Sequence, residues 1–383
     1  MYENDQRIVL SLDAGGTNFV FSAIQAYHQV VEPICLPAVT DNLEGCLQLL
    51  EQGFRQVIRE LEHPPVAISF AFPGPADYAH GIIGDLPNLK AFRGGVALGP
   101  WLEECFGLPV FINNDGNLFA YGEALAGMLP QVNAQLREAG SQRAYRNLLG
   151  ITLGTGFGAG VVIDGTLLTG DNGCGGDVWC MRNIEEPSLI AEESVSIRAV
   201  KQVYQELAGR DAASLSGKDI YEIAEGRREG DAEAARQSFA RMGHMAGETI
   251  AAALDIVDGL VVIGGGIMGA SHYILPSLVD ALNGKVHTRA GDTFPLMQSH
   301  AYNWEDESQR SAFMDSGAQQ ISVPLPMRDG ARLTMTERSV PYLRHKAVCV
   351  CKSRNGASTS IMYGAYAYAL ANLPAMPCKL SED

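Results

Sequence analysis

Apolar and polar positions along this chain alternate between short strands and amphipathic helices. Residues 7–12 form an apolar run ending near Gly15-Gly16, and residues 19–24 read as a returning strand. This is a hairpin, not a strand leading into a helix. A helix is expected over 43–62, and a short buried strand over 66–72 that ends at Pro73-Gly74-Pro75. A helix near 96–106, a strand over 109–112 and a helix from about 117 to 129 follow. The pattern then restarts. Residues 148–153 and 159–163 read as strands flanking the glycine turn 154–158, about 140 residues after the first such turn. A repeat of that length is too long for a solenoid and points to two related domains. Phe239, Met242, Met245, Ala246, Ile250, Ala253 and Leu254 recur at helical spacing within 231–255. That helix leads into the strand 260–263 and the loop Gly264-Gly265-Gly266. Alternating strands and helices favour an α/β architecture.

Residues 283–345 break the alternation. They are polar, with strand-like runs at 320–327 and 332–336, and read as an inserted β-rich excursion serving either as an oligomer contact or as a lid. An alanine- and tyrosine-rich helix is expected from Gly364.

Composition narrows the function classes. The 383 residues are 46% hydrophobic and 19% charged, which excludes a disordered or collagen-like chain. A net charge of −16 repels phosphate backbones and anionic membranes, so neither nucleic acid nor a membrane is an expected partner. No run reads as a transmembrane helix, and the acidic start lacks the basic flank of a signal peptide. The expected location is the cytoplasm, with the eight scattered cysteines reduced.

Several short motifs carry candidate chemistry, and each has a plain structural alternative. In Asp13-Ala14-Gly15-Gly16-Thr17-Asn18, glycines admit close backbone approach to phosphates, and Asp13 can hold Mg²⁺ directly or through water. The alternative is an ordinary hairpin turn. Leu153 to Gly160 is a second glycine turn, able to face the first across a cleft. Gly264-Gly265-Gly266 either accepts an adenosine or is only a tight connection. Asn114-Asp115 stands at a strand end, where open α/β sheets bind ligands; it is either a general base with its neighbour or a helix N-cap.

Taken in order, these motifs, with Pro73-Gly74-Pro75-Ala76-Asp77 and Pro87-Asn88-Leu89, resemble the ROK family of repressors, open reading frames and kinases. The resemblance implies two actin-like (ribonuclease H-like) domains with a cleft between them, over residues 1–121 and 122–363. The 283–345 excursion is inserted in the second, and a terminal helix over 364–376 packs back on the first. It implies an ATP-dependent hexose kinase using Mg²⁺. Asp13, Gly15, Gly16 and Thr17 would bind phosphate with Gly154, Thr155 and Gly156. Gly264, Gly265 and Gly266 would meet the adenosine. Gly74, Asn88 and Asn114 would touch the sugar, and Asp115 would be the base.

The chain departs from that family at one stretch. A Glu-x-x-His facing the sugar, a cysteine-rich zinc loop and a later Glu are usual. Here Asp177-Val178-Trp179-Cys180 replaces the first, and Glu192 with Ser196 fits the last. Between them, 181–191 holds neither cysteine nor histidine, so no structural zinc is expected. Asp177, Cys180 and Glu192 become candidate sugar contacts, and Trp179 either stacks on a sugar face or, the favoured reading, packs into the space the loop vacated. A non-catalytic sugar-binding regulator is the alternative reading. An actin-like filament or chaperone ATPase is a third, disfavoured by the sugar-suited motifs. About seven residues precede the first strand, too few for the DNA-binding domain of the family's repressors.

Overall fold

The computed structural model describes residues 1–383 except 16, 75, 85–91, 210, 316–318, 344 and 374–383. The first sheet opens with β1 (Val9–Ala14) and β2 (Asn18–Gln25), followed by β3 (His28–Gln29) and β4 (Ile34–Pro37). Helix α1 (Leu43–Glu60) and β5 (Ala67–Ala71) come next. A two-residue pair, β6 (Ala76–Asp77) and β7 (Ile82–Ile83), then precedes α2 (Leu98–Phe106) and β8 (Val110–Asn113). The strands run in the order β3-β2-β1-β5-β8 with β4 on β2; β1 and β2 are antiparallel, while β1, β5 and β8 are parallel.

Helices α3 (Asp115–Ala126) and α4 (Met128–Glu138) lead to β9 (Leu148–Leu153), β10 (Phe157–Ile163) and β11 (Thr166–Leu167). Four helices and β12 (Leu260–Gly264) follow: α5 (Ile197–Ala208), α6 (Gly217–Ala224), α7 (Ala232–Val257) and, after β12, α8 (Ser271–Leu282). The chain continues through β13 (Lys285–His287), β14 (Thr293–Pro295), β15 (His300–Asn303), α9 (Glu307–Asp315), β16 (Gln319–Asp329), β17 (Arg332–Tyr342), β18 (Ala347–Lys352) and α10 (Ala357–Asn372). The second sheet runs β11-β10-β9-β12-β18-β15. It repeats the first: an antiparallel hairpin whose first strand pairs in parallel with the next strand, which in turn pairs in parallel with a third. The fold is α/β with two actin-like domains, as the motif order implied.

Local sequence explains these elements. In α1, Cys46, Leu50, Phe54 and Val57 share one buried face at spacings of four and three. Full burial of a Leu, Phe or Val contributes about 1.5–3 kcal/mol each. Asn42 caps the helix by accepting from the Gly45 amide, with Glu44 in the first turn and Arg59 in the last, both favourable to the dipole. In α7 the expected face is buried apart from Ala253, which is half-buried, and Asp231 caps the start. α3 is buried almost all round, as a helix packed between the second sheet and α10 must be. Its one charge after the first turn, Glu123, accepts from the Ser353 and Ser360 hydroxyls and the Met128 amide. α10 crosses α3 where Gly122 meets the Ser360 carbonyl and Gly364 meets the Leu118 carbonyl, and it covers one face of β1, β5 and β8.

Two expectations need correction. The terminal helix begins at Ala357, seven residues before Gly364, and ends at Asn372, not at 376; positions 374–376 lie outside the described residues. The excursion 283–345 is not one inserted unit. β15 is an edge strand of the second sheet, paired with β18, and Ala301, Trp304 and Phe313 are buried in its core. Deleting 284–345 would strip that edge and open the core. Deleting only 319–342 is expected to leave both sheets folded, because Gln319 and Tyr342 are paired and a short linker can join their ends. Unchanged far-UV circular dichroism and nucleotide binding in the shorter deletion, with their loss in the longer, would check this. No helix among the described residues is long and apolar enough to cross a membrane.

Candidate active site

The site lies where parallel strands of the first sheet end. Asp13 and Ala14 close β1, Phe72 and Pro73 follow β5, and Asn114-Asp115 links β8 to α3. These ends, with Ser358, Thr359 and Met362 of α10, surround a cavity of about 480 Å³ that holds both Asp13 and Asp115. Gly15 permits the hairpin turn beside it: a side-chain carbon there would stand 2.9 Å from the Asn18 carbonyl oxygen. Thr17 is exposed at that turn, and its carbonyl accepts from the Ala38 amide. Gly16 and Asn88 lie outside the described residues.

Three asparagines fix the bend that presents Asp115. The Asn114 side-chain oxygen caps α3 by accepting from the Asn117 amide at 2.6 Å, so the capping reading holds for this residue. Beneath it, Asn113 Oδ1 accepts from the Asn114 amide and from Asn117 Nδ2. Asp115 itself is the first helical residue, and its carboxylate accepts from the Gly116 amide at 2.9 Å. It keeps an open side toward the cleft, yet protein crowds the carboxylate. That burial lifts its carboxyl above the ordinary aspartate range, and the Gly116 amide draws it back in part.

Close packing carries Asp115 to the second glycine turn. Side chains at Gly116 or Gly160 would overlap the backbone of the other domain's element, so α3 lies directly on β10. A side-chain carbon at Gly158 would be 3.9 Å from Asp115 Oδ1. Within the turn, the Gly154 amide donates to the Gly156 carbonyl and the Gly154 carbonyl accepts from Ile197. Glu192 supports the same turn: it accepts from the Phe157 amide at 3.0 Å and pairs with Arg198 at 3.3 Å.

One residue of this wall escaped the sequence reading. The Tyr78 hydroxyl donates to the Phe72 carbonyl at 2.9 Å and sits 3.1 Å from where a Gly74 side chain would begin. Burial, and then the charges of Asp115 and Asp177, raise its phenol strongly. Tyr78 thus lies against Gly74 and close enough to Asp115 and Asp177 to feel their charge. Asp177 is half-buried, which raises its carboxyl, while a hydrogen bond from Trp179 opposes the rise. Cys180 is exposed and its thiol donates to the Asp177 carbonyl at 3.2 Å. Cys174 is likewise an exposed thiol, and among the described residues no three metal-ligating side chains cluster. Trp179 does not fill vacated space: it is 41% exposed, and Val178 is the residue turned into the core.

A second cavity, about 380 Å³, opens beside the glycine turn of the second domain. Gly154, Thr155 and Gly266 line it with Lys218, Tyr221 and Ile267. The three glycines after β12 have separate roles. Gly264 makes room for the Phe119 ring, Gly265 has φ +108° and lies against the Leu153 backbone, and only Gly266 faces the cavity. Tyr221 is held by the Arg227 guanidinium 5.2 Å from its ring centre and by an edge contact with His272. The capping box Ser216-x-x-Asp219 marks the start of its helix, but no sequence pattern marked it as cavity-facing.

Comparison with known proteins agrees with this fold. The chain is 54% identical to a glucokinase from Parabacteroides distasonis, and the two structures superpose with a TM-score of 0.84 over 97% of this chain and 100% of the other. It is 27% identical over 305 residues to a glucokinase of Thermotoga maritima, spanning 71% of this chain and 89% of that one. A ROK family glucokinase from Streptomyces griseus, solved with glucose and AMPPNP, shares the fold at 17% identity, with a TM-score of 0.58 over 94% and 98% of the two chains. Residues 9–303 match the ROK family as a whole, and the chain belongs to it.

Proposed function

We propose that this chain, a sugar kinase, transfers the γ-phosphoryl group of ATP to a hydroxyl of a hexose or hexose derivative in the cytoplasm. The observation that carries the reading is the position of Asp115. It lines the cavity that Asp13 also lines, and its Oδ1 is 3.9 Å from where a side chain at Gly158 would begin, so one carboxylate lies between the first glycine turn and the second. The 54% identity to a glucokinase supports the same class of reaction.

In this mechanism the sugar lies against Gly74, Tyr78, Asn114 and Asp177. Its reacting hydroxyl donates to Asp115, which takes the proton as the oxygen attacks the γ-phosphorus and ADP departs. Amides of the two glycine turns, including those of Gly15, Thr17, Thr155 and Gly156, offer donors to the phosphate oxygens. Asp13 suits Mg²⁺: a single exposed carboxylate beside an open cavity leaves room for the phosphates and waters that this ion prefers. Bound there, Mg²⁺ would supply positive charge to the phosphate oxygens. Asp177 is one methylene shorter than a glutamate, so the sugar preference should differ from that of relatives that carry Glu and His.

A panel of hexoses assayed for sugar-dependent ADP release tests the proposal. Tight sugar binding with no ADP release from any hexose would overturn it in favour of a regulator. Tyr221→Ala checks the nucleotide pocket separately. Base–aromatic stacking is worth about 1–3 kcal/mol, so KM for ATP should rise about tenfold or more while KM for the sugar stays unchanged.

A further inference from the structure

Residues 181–194 form a loop between the stretch that carries Asp177 and the Glu192 support of the second glycine turn. Most of its side chains are exposed, Ile184 and Leu189 among them, and Arg182 and Ile190 make one isolated bridge between its arms. A cavity of about 190 Å³ lies behind it, with Leu189 and Ser194 on the loop side and Val203 of α5 and Arg241 and Met242 of α7 on the other. A loop with few inward apolar side chains and a void at its back is not fixed by close packing. Its position falls to hydrogen bonds.

One side chain supplies most of them. Asn183 is 1% exposed between exposed neighbours. Its Oδ1 accepts from the Glu185 amide at 3.1 Å and the Glu186 amide at 3.2 Å. Its Nδ2 donates to Ser194 Oγ at 2.6 Å and to the Ile190 carbonyl at 3.4 Å. A side-chain amide has two donor hydrogens and two acceptor lone pairs, so all four are used. The Asn183 backbone N–H donates in turn to the Leu189 carbonyl at 3.0 Å. A buried polar group satisfied this fully holds one geometry, and removing it leaves several partners unpaired at once.

The bond to Ser194 carries that order to the glycine turn. Ser194 closes the single 3-10 turn Ala191–Glu193, its amide donating to the Ala191 carbonyl. Glu192, within that turn, accepts from the Phe157 amide, and a side-chain carbon at Gly156 would be 2.6 Å from its Oε2. Three residues after Ser194, the Ile197 amide donates to the Gly154 carbonyl at 2.9 Å. The Asp177 end of the loop is held separately. Gly176, at φ +90°, lies against the backbone of Gly160 and Ala159, and Val178 is buried in the core of the second domain. Loss of Asn183 therefore bears on the glycine turn and spares the wall that carries Asp177.

We propose that Asn183 is a positioning residue for phosphoryl transfer: through Ser194 and Glu192 it sets the amides of the second glycine turn. The assignment rests on the reading of that turn as a phosphate-binding element. Asn183 acts through its neighbours and needs no contact with either substrate.

Steady-state kinetics with the hexose that turns over fastest in the panel, together with calorimetry of the same hexose without nucleotide, are the test. Asn183→Ala and Ser194→Ala should each lower kcat/KM for ATP about ten- to hundredfold, the scale of a small misplacement of catalytic groups. The hexose Kd should stay at the wild-type value, and Ser194→Thr, which keeps the hydroxyl, should keep the activity. Glu192→Ala should be at least as slow toward ATP, and adding Asn183→Ala to it should cost nothing further. Glu186→Ala, which retains its backbone amide, should match the wild type. Circular dichroism identifies a variant that fails to fold, and Ser194→Ala, which removes only a hydroxyl at a half-buried position, carries the test should Asn183→Ala do so. Wild-type ATP kinetics in the Asn183 and Ser194 variants would overturn the assignment. So would a loss of hexose binding that matches the loss toward ATP, or additive effects of Asn183→Ala and Glu192→Ala. If Glu192→Ala is also unimpaired, the reading of the turn falls with the assignment; if Glu192→Ala is slow, that reading stands and the role of Asn183 alone falls.

Discussion

Asp115→Asn is expected to lower turnover by about 10²- to 10⁴-fold, the usual cost of losing a general base. The amide keeps the shape of the side chain and can still accept from the Gly116 amide, so the start of α3 and the sugar pocket should stay in place. KM for the sugar should therefore change little while kcat falls, a split that a merely structural role for Asp115 would not produce. The pH profile adds a second check. Burial raises the Asp115 carboxyl, so the acid limb of kcat/KM should lie above the ordinary aspartate value of about 3.9, and the variant should lose it. The sign for stability is the reverse of that for a salt-bridged carboxylate. A folded-state pKa above the unfolded one means that the fold binds the proton more tightly. Stability then decreases as pH rises from the unfolded to the folded pKa, and at neutral pH the ionised group is a burden. Asp115→Asn should melt at the same temperature as the wild type or slightly higher at pH 7 while being nearly inactive. Wild-type turnover in the variant, or a marked loss of stability at neutral pH, would overturn the assignment.

The second large effect is expected at a position far from chemistry. Gly122→Val should destabilise the protein by about 3 kcal/mol or more. A side chain there would overlap the Ser360 carbonyl oxygen of α10, and Gly364 makes the reciprocal approach to the Leu118 carbonyl of α3. Backbone stands on both sides, so no rotamer change relieves the clash. Separating the helices would also disturb Glu123, whose carboxylate accepts from Ser360 across the same contact. A core carboxylate that loses one of its three donors adds a desolvation cost. Thermal melting and tryptic sensitivity should show the loss, with Gly122→Ala intermediate. A Val variant as stable as the wild type would mean that the helices are not held this closely.

The paired glycine-turn hairpins were readable because turn chemistry is local: a strand, two glycines and a returning strand fit within 18 residues of sequence. The bend at Asn114-Asp115 was readable for a similar reason, although α3 begins at Asp115 and not near 117, because the cap is Asn114 itself. Tyr78 was not readable. Its role arises only when the 74–78 segment, α3 and the loop carrying Asp177 converge in space. Tyr221 was hidden in the same way, as one aromatic on a short helix whose cavity is built by three other segments. β15 looked like part of an insertion because His300, Tyr302 and Asn303 are polar, and an edge strand needs only one buried face. The start of α10 was missed because Ala357-Ser358-Thr359-Ser360 resembles a loop. There, packing of Ser360 against Glu123 decides the helix, not intrinsic preference.

The position of α10 also has a consequence for how the protein is made. Val9 and Ala67 of the first sheet are buried in one cluster with Tyr366 and Ala367 of α10, so the last described helix completes the first domain. On a ribosome, β8 emerges some 260 residues before α10 does. At about 5–20 residues per second that interval is about 13–50 s. During it, the nascent first sheet shows an uncovered apolar face to its surroundings. Its natural occupants in that period are chaperones or a neighbouring nascent chain, so expression should respond to chaperone supply and to translation speed more than the stability of the finished fold would suggest.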